Sequence, residues 1–279
     1  MLHKLSAREA ERYIDFAYAL ALDRSRSGFP SYNDGIKTGS DFADELARLA
    51  SGENSELLLF ECDGKALGLL GYFCLPDDKY IQTTIMDIAD KTEVALSEFI
   101  EYMRRRFCGY ELNIGVTAEN VAARRSLAEN GFECVENDYC CCLLFDNYVA
   151  AGESDCVRAV TAENFGDFST LHDGVQMYWT SERILRALSD WRAFVYYDGG
   201  APVGAIYALG ADMPEIFGVD FSAGFDADVY RALLTKLLNS FKASGAKHMT
   251  YFVEERERAV AERLGFCEVG EYFCFAAVL

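Results

Sequence analysis

Thiols, imidazoles and a surplus of carboxylates are the groups in this 279-residue chain with chemistry to offer. The densest thiol group is Cys134 with Cys140, Cys141 and Cys142. A zinc site needs four ligands converging on one point. Consecutive strand residues point to opposite faces, so Cys140 and Cys142 diverge from Cys141, and the nearest histidine in sequence is His172. No Cys-x-x-Cys occurs, no metal is expected, and the thiols read as small apolar strand residues. A nucleophilic thiol needs a base beside it, and none stands near this run. His3, His172 and His248 show no catalytic spacing. Carboxylates gather instead where helices begin. Asp90 with Glu93 has the form of a capping box, and Asp226 or Asp228 is a natural N-cap. Arg104-Arg105-Arg106 closes a helix, where cations complement its dipole.

The net charge is −19, and both halves of the chain are acidic. That disfavours a nucleic-acid partner. It suits either an amine substrate, by steering, or plain solubility. The longest apolar runs, Leu57–Phe60 and Cys140–Phe145, fall far short of the ~20 residues that cross a bilayer. Met1-Leu2-His3-Lys4 leads into an amphipathic helical pattern, not an apolar leader. The expectation is a soluble cytoplasmic protein with no membrane partner.

The elements that must position these groups occur twice. Glu56–Cys62 and Arg192–Tyr197 read as strands, each followed by a Gly-containing turn (Asp63-Gly64, Gly199-Gly200) and a second strand. Thr92–Phe107 carries Leu96, Phe99, Ile100, Met103 and Phe107 on one stripe. Asp228–Phe241 carries Leu233, Leu234, Leu237 and Phe241 likewise, so both predict helices lying on a sheet. Then come a strand, a short helix and a Gly-Phe pair: Glu111–Val116, Val121–Asn130 and Gly131-Phe132, matched by His248–Val253, Arg256–Leu264 and Gly265-Phe266. Both glycines stand where a helix end needs positive φ. Each half opens with helical segments, Ala7–Leu22 and Asp41–Ala50 in one, near Ala162–Asp173 and Ser181–Leu188 in the other. The small, polar stretch Asn147–Asp155 suits a linker. The reading is two tandem α/β domains with mixed sheets, 1–150 and 151–279.

The stretch Asn120-Val121-Ala122-Ala123 through Gly131-Phe132 resembles the signature of the GNAT N-acyltransferases, in which an Asn is followed three residues later by Ala and then by a helix ending in Gly-Phe. The resemblance covers both halves as an order of elements, and sequence detail only here. It implies two GNAT-like domains and transfer of an acetyl group from acetyl-CoA to a small-molecule amine. The strand preceding this helix would splay from its neighbour and admit the pantetheine arm, with Asn120 touching it; Asn120 is equally a natural N-cap. Ala123, Arg124, Lys91 and Thr92 would complete the cofactor side. Asp87, on the strand before the first central helix, lies where the family often places an acid/base group, with Asp220 its nearest equivalent; capping or solvation explains either as well.

The family's Gly-rich phosphate loop is missing from both copies. Ile88-Ala89-Asp90-Lys91-Thr92 and Ala223-Gly224-Phe225-Asp226-Ala227 stand in its place. Backbone N–H groups at a helix start bind anions when glycines let a phosphate approach. Acidic side chains there engage those groups themselves and repel a pyrophosphate. The Tyr that many members carry four residues before the Gly-Phe glycine is replaced by Leu127 and Ala261. Tyr139 and Tyr272 could supply the acid, and both also read as packing aromatics. Glu254 stands where the second copy would need its Asn. Two functions remain: an acyl-CoA N-acyltransferase working through the first copy, or a non-catalytic descendant kept for binding or assembly. The state of the splay beside Asn120 separates them.

Overall fold

The computed structural model of the chain describes residues 1–29, 32–172, 178–210 and 214–279. In chain order the elements are β1 (Leu2–Lys4), α1 (Ala7–Ala10), α2 (Ile14–Ala21), α3 (Gly39–Ser51), β2 (Ser55–Cys62), β3 (Lys65–Leu75), β4 (Tyr80–Ile88), α4 (Thr92–Arg106), β5 (Glu111–Thr117), α5 (Val121–Glu129) and β6 (Glu133–Leu144). There follow β7 (Val157–Ala159), α6 (Phe165–Leu171), α7 (Ser181–Arg186), β8 (Trp191–Asp198), β9 (Ala201–Leu209), β10 (Glu215–Phe221), α8 (Ala227–Ala243), β11 (His248–Val253), α9 (Glu255–Arg263) and β12 (Cys267–Val278). Asp173, the expected end of one helix, lies outside the described residues.

The two hairpins form as the turns dictate. Asp63 and Gly64 have φ of 53° and 72°, Gly199 and Gly200 of 54° and 90°. Two successive left-handed residues make the turn whose twist matches that of the strands it joins. Gly131 and Gly265, at φ 85° and 101°, end α5 and α9 as expected. The N-terminal helical stretch is interrupted by a 3-10 turn at Glu11–Tyr13, giving two helices where one was expected.

By contact the chain divides into two units, Met1–Asp138 with Gly270–Leu279, and Tyr139–Val269. The division therefore runs through β6 and β12, not through the polar stretch near residue 150. The reason is strand pairing. The edge of β5 is filled from the far end of the chain, from Tyr272↔Thr117 to Val278↔Glu111, and the edge of β11 by Tyr139–Leu144. Asn147–Asp155 is not a free linker either. Tyr148 is buried and its hydroxyl donates to Asn239 of α8 at 2.9 Å.

The first unit's sheet runs β1-β2-β3-β4-β5-β12, with only β4 and β5 parallel. Alternation along its strands feeds two cores. Leu58, Phe60, Leu70, Met86 and Ile88 pack with Leu96, Phe99, Ile100 and Met103 of α4. Leu57, Leu59, Leu69 and Ile85 pack with Phe42, Leu46 and Leu49 of α3. The second unit repeats this as β7-β8-β9-β10-β11-β6, with β10 and β11 its parallel pair. Leu233, Leu234, Leu237 and Phe241 of α8 fill one core; Phe168, Ile184, Trp191 and Tyr207 form the other.

Candidate functional site

The parallel pair β4–β5 is the natural place for a slot. The strands pair in register at Tyr80↔Glu111, Ile81↔Leu112 and Gln82↔Asn113, while β4 runs on to Ile88 and β5 to Thr117. Between these ends lies the protein's own main chain. Ile88 N–H donates to Arg26 O at 2.9 Å, Phe29 N–H donates to Gly115 O at 3.0 Å, and Gly28 bridges Val116 in antiparallel fashion. The Thr117 hydroxyl donates to Arg24 O. The segment Arg24–Phe29 thus hydrogen-bonds to both strands, as a short strand would. A side chain at Gly28 would stand 2.9 Å from both Gly115 O and Met86 Cβ, so only glycine permits this approach. Ser27 is buried, and Phe29 packs edge-on against Tyr272 at 4.8 Å between centroids.

Asn120 is 1% exposed, and both ends of its amide are engaged. Oδ1 accepts the Ala123 N–H at 3.1 Å, capping α5, and Nδ2 donates to Ser27 O at 3.0 Å. Ala123 is buried beneath α4. The Arg124 guanidinium sits 3.8 Å over the Phe273 ring and donates to Ala118 O at 3.1 Å. Arg125 pairs with Glu93 at 2.5 Å. Asp87 is 3% exposed, and Oδ2 has no hydrogen-bond partner among the described residues. Burial pushes its carboxyl well above the ordinary aspartate range.

The start of α4 differs from the capping box expected at Asp90 and Glu93. Lys91 is the N-cap, in left-handed conformation at φ 57°, without a side-chain cap. Asp90 turns back to accept the Lys91 N–H at 2.8 Å, and Glu93 is drawn to Arg125. The Lys91 ammonium reaches Cys62 Sγ at 3.0 Å and Asp63 Oδ2 at 3.2 Å. The N–H groups of the first turn, from Thr92 on, have no intrahelical acceptor. Of the groups expected around a cofactor, the fold brings Asn120 against the inserted segment, buries Ala123 in the core with α4, and sets Lys91 and Thr92 at the helix start. Tyr139 falls in the second unit, paired with Val253 on β6, with the Arg258 guanidinium 4.3 Å over its ring. Sequence reading missed the inserted segment. Its one local signal is Gly28, and its partners are supplied by distant strands.

In the second unit, β10 and β11 pair at Glu215↔Thr250 and Ile216↔Tyr251. Here the helix start is closed as expected, since Asp226 accepts the N–H groups of Asp228 and Val229 at 2.9 and 3.1 Å. Glu257, 2% exposed, accepts the Tyr251 hydroxyl at 2.7 Å, and burial pushes its carboxyl up to about 7. Asp220, left as a capping or solvated group by its sequence position, contacts His172 Nδ1 at 3.1 Å, and His172 Nε2 lies 2.8 Å from Trp179 O. Both ring nitrogens face oxygens, and the carbonyl can only accept, so Nε2 carries a proton. Among the described residues no group of three or more His, Cys, Asp or Glu side chains is placed to hold a metal.

Comparison with solved structures finds the same fold over the whole chain. A GCN5-related N-acetyltransferase from Sphaerobacter thermophilus aligns at TM-score 0.64 and 14% identity, covering 99% of this chain and 95% of the other. The chain has the GNAT fold. A tandem GNAT protein from the clavulanic acid biosynthesis pathway aligns at 0.52 and 13% identity, covering 99% and 98%. A putative acetyltransferase from Thermoplasma acidophilum aligns at 0.53 and 12% identity, covering both chains entirely. No protein-family model and no curated protein matches. The mixed α/β class and the doubled GNAT architecture read from the sequence are both present in the fold. No described helix is long and apolar enough to cross a membrane.

Proposed function

We propose that this is a non-catalytic GNAT-fold protein, kept for binding or assembly, in which the acyl-CoA slot of the first unit is closed by its own chain. The observation that carries the reading is the main chain of Arg24–Phe29, hydrogen-bonded to both β4 and β5 in the gap where the resemblance implies the pantetheine arm. A ligand entering there must break several main-chain hydrogen bonds, worth about 1 kcal/mol each, and displace two buried side chains. The neighbouring groups support the same reading. Asn120 is engaged by Ser27 and Ala123, Asp87 is buried with its carboxyl pushed up, and Arg124 is stacked on Phe273. In the second unit Asp226 occupies the helix start.

A second reading draws on one feature. The first turn of α4 has no side-chain cap, and such a turn attracts anions. On that reading the protein is an acetyl-CoA-dependent N-acyltransferase for a small amine, working only when Arg24–Phe29 withdraws.

Calorimetric titration with acetyl-CoA and desulfo-CoA separates the two. The wild-type protein and Gly28→Val, whose added side chain expels the segment, are each titrated after circular dichroism confirms folding. The non-catalytic reading expects no binding to either protein at millimolar cofactor. Micromolar binding to the wild type, lost in Asn120→Ala, overturns it. Binding gained only by Gly28→Val establishes the second reading instead.

A further inference from the structure

Where the first hairpin meets the start of α4, three groups of different chemistry converge. The Lys91 ammonium lies 3.0 Å from Cys62 Sγ and 3.2 Å from Asp63 Oδ2, and the Cys62 thiol is 3.6 Å from the same carboxylate. Cys62 ends β2 and is half-buried, its Cα paired with Lys65 across the turn, while the Asp63 side chain is open to water. The Asp63–Gly64 turn is held by two left-handed residues, and the third, Lys91, is itself left-handed. The cluster is therefore built by the backbone and reached by solvent. A half-buried sulfur with an ammonium at 3.0 Å on one side and a carboxylate at 3.6 Å on the other is placed to meet small oxidants beside an amine.

We propose that Cys62 and Lys91 form an oxidant-sensitive site, in which a peroxide converts the pair into a covalent sulfur–nitrogen bond. In the first step the thiol proton leaves to Asp63 or water, and the thiolate attacks one oxygen of the peroxide. The S–O bond forms as the O–O bond breaks, sulfur loses two electrons, and the departing alkoxide or hydroxide takes up a proton. Cys62 is then a sulfenic acid. The contact with Cys62, followed by that with Asp63, had held the Lys91 ammonium above the ordinary lysine range. Loss of the thiolate removes the first of these, and the amine is freed to give up a proton. In the second step its lone pair attacks sulfur, the S–N bond forms, the S–O bond breaks, and hydroxide leaves with the amine's proton as water. One peroxide is consumed, and the protein loses two hydrogens. A thiol reductant attacks the same sulfur, the S–N bond breaks and the amine is released; a second thiol then resolves the mixed disulfide and restores Cys62.

The bond would tie the β2–β3 hairpin to the N-cap of the central helix. It does not depend on acyl-CoA binding in either direction. The exposed thiols of Cys108, Cys134, Cys156 and Cys267 are internal controls.

The full chain is treated with limiting hydrogen peroxide, free thiols are blocked, and peptides are mapped by mass spectrometry with and without prior reduction. The expected product joins the peptide containing Cys62 to that containing Lys91. It is lighter than their sum by two hydrogens and disappears on reduction. Cys62 should be consumed about tenfold faster than Cys108, though it is less exposed. Lys91→Arg keeps a cation but offers no amine that can close the bond. In that variant Cys62 should accumulate as a sulfenic acid trapped by a 1,3-diketone. Three outcomes overturn the proposal: Cys62 oxidised but unlinked in the wild type, a linked pair carrying an added oxygen, or Cys62 reacting no faster than Cys108. Circular dichroism of Lys91→Arg ensures that a lost link is not a lost fold.

Discussion

The two units use the same place in the sheet to anchor their central helix, with opposite charges. In the first, Glu56 on β2 is buried and accepts from Tyr72 at 2.9 Å, from Tyr102, from Lys4 at 2.8 Å and from Arg106 at 2.9 Å, the last at the end of α4. In the second, the corresponding residue on β8 is Arg192. Its guanidinium donates to Ser240 O at 2.5 Å, near the end of α8, and lies 4.2 Å over the Phe241 ring. A carboxylate can only collect donors; a guanidinium can answer helix carbonyls directly. The geometry of the joint survives while its chemistry inverts. The start of the central helix shows the same divergence, with Lys91 uncapped in one unit and Asp226 capping in the other.

The largest effect in this comparison belongs to Glu56. Glu56→Ala leaves Arg106, Lys4 and two tyrosine hydroxyls without their acceptor. Breaking a buried charge network typically costs 3–5 kcal/mol, and the half-exposed cations bring that to about 3 kcal/mol. Arg192→Ala removes a partly buried pair of contacts that water replaces, and should cost about 1 kcal/mol. Urea denaturation of both variants checks the ratio; equal losses would break the comparison. The pH dependence follows. Burial alone would raise the Glu56 carboxyl, but the hydrogen bonds from Lys4, Tyr102 and Tyr72, with the Arg106 charge, outweigh it and hold the group below the ordinary range. Its contribution is therefore present above the ordinary glutamate range and is lost as pH falls through the lowered value.

Glu257 should run the other way. Burial raises it from 4.5 to about 7. The folded state binds the proton more tightly than the unfolded chain, so this group favours folding below about pH 4.5. The advantage shrinks as pH rises towards 7 and then stays lost. Glu257→Gln keeps an acceptor for Tyr251 and removes the ionisation. The variant should gain on the order of 2–3 kcal/mol relative to wild type between pH 5 and pH 8. Stability curves at the two pH values test this; a variant that tracks wild type at both would mean that Glu257 is ionised in the fold.

Much of this was legible. The doubled order of elements followed from turn glycines, periodic apolar stripes and the Gly-Phe pairs, because each is a local rule. The strand pairing that gives β5 its neighbour from Tyr272–Val278 was not, since nothing near residue 272 says which edge it fills. The site failed in the same way. Asn120 reads from the sequence as either a cofactor contact or an N-cap, and its capping bond to Ala123 is local. Its other bond, to Ser27, and the insertion of Arg24–Phe29 come from far along the chain. Likewise His172 and Asp220 drew no notice as a pair, being brought together only by the fold.

Gly28 is where the inserted segment is most exposed to attack. Gly28→Val drives Cβ against Gly115 O and Met86 Cβ. Overpacking of this kind costs about 1–3 kcal/mol. The effect should be local, with cleavage by a protease near Arg24 and Arg26 rising sharply while the second unit's resistance stays unchanged. Global loss of resistance would show that the segment is part of the core and not an insert.

The smallest expected effect tests the helix starts. Asp226→Ala removes the acceptor for two N–H groups at the head of α8 and should cost about 1 kcal/mol. Lys91→Asn, at the matching place in the first unit, should be neutral or gain slightly. Asn tolerates the left-handed conformation better than Lys and can itself accept an N–H, though the contacts with Asp63 and Cys62 are lost. Thermal denaturation of the two single variants compares them directly. Opposite signs would establish that the first unit has left its central helix start open where the second has sealed it. Equal losses would mean that Lys91 holds its helix as firmly as Asp226 does, through the hairpin and not through a cap.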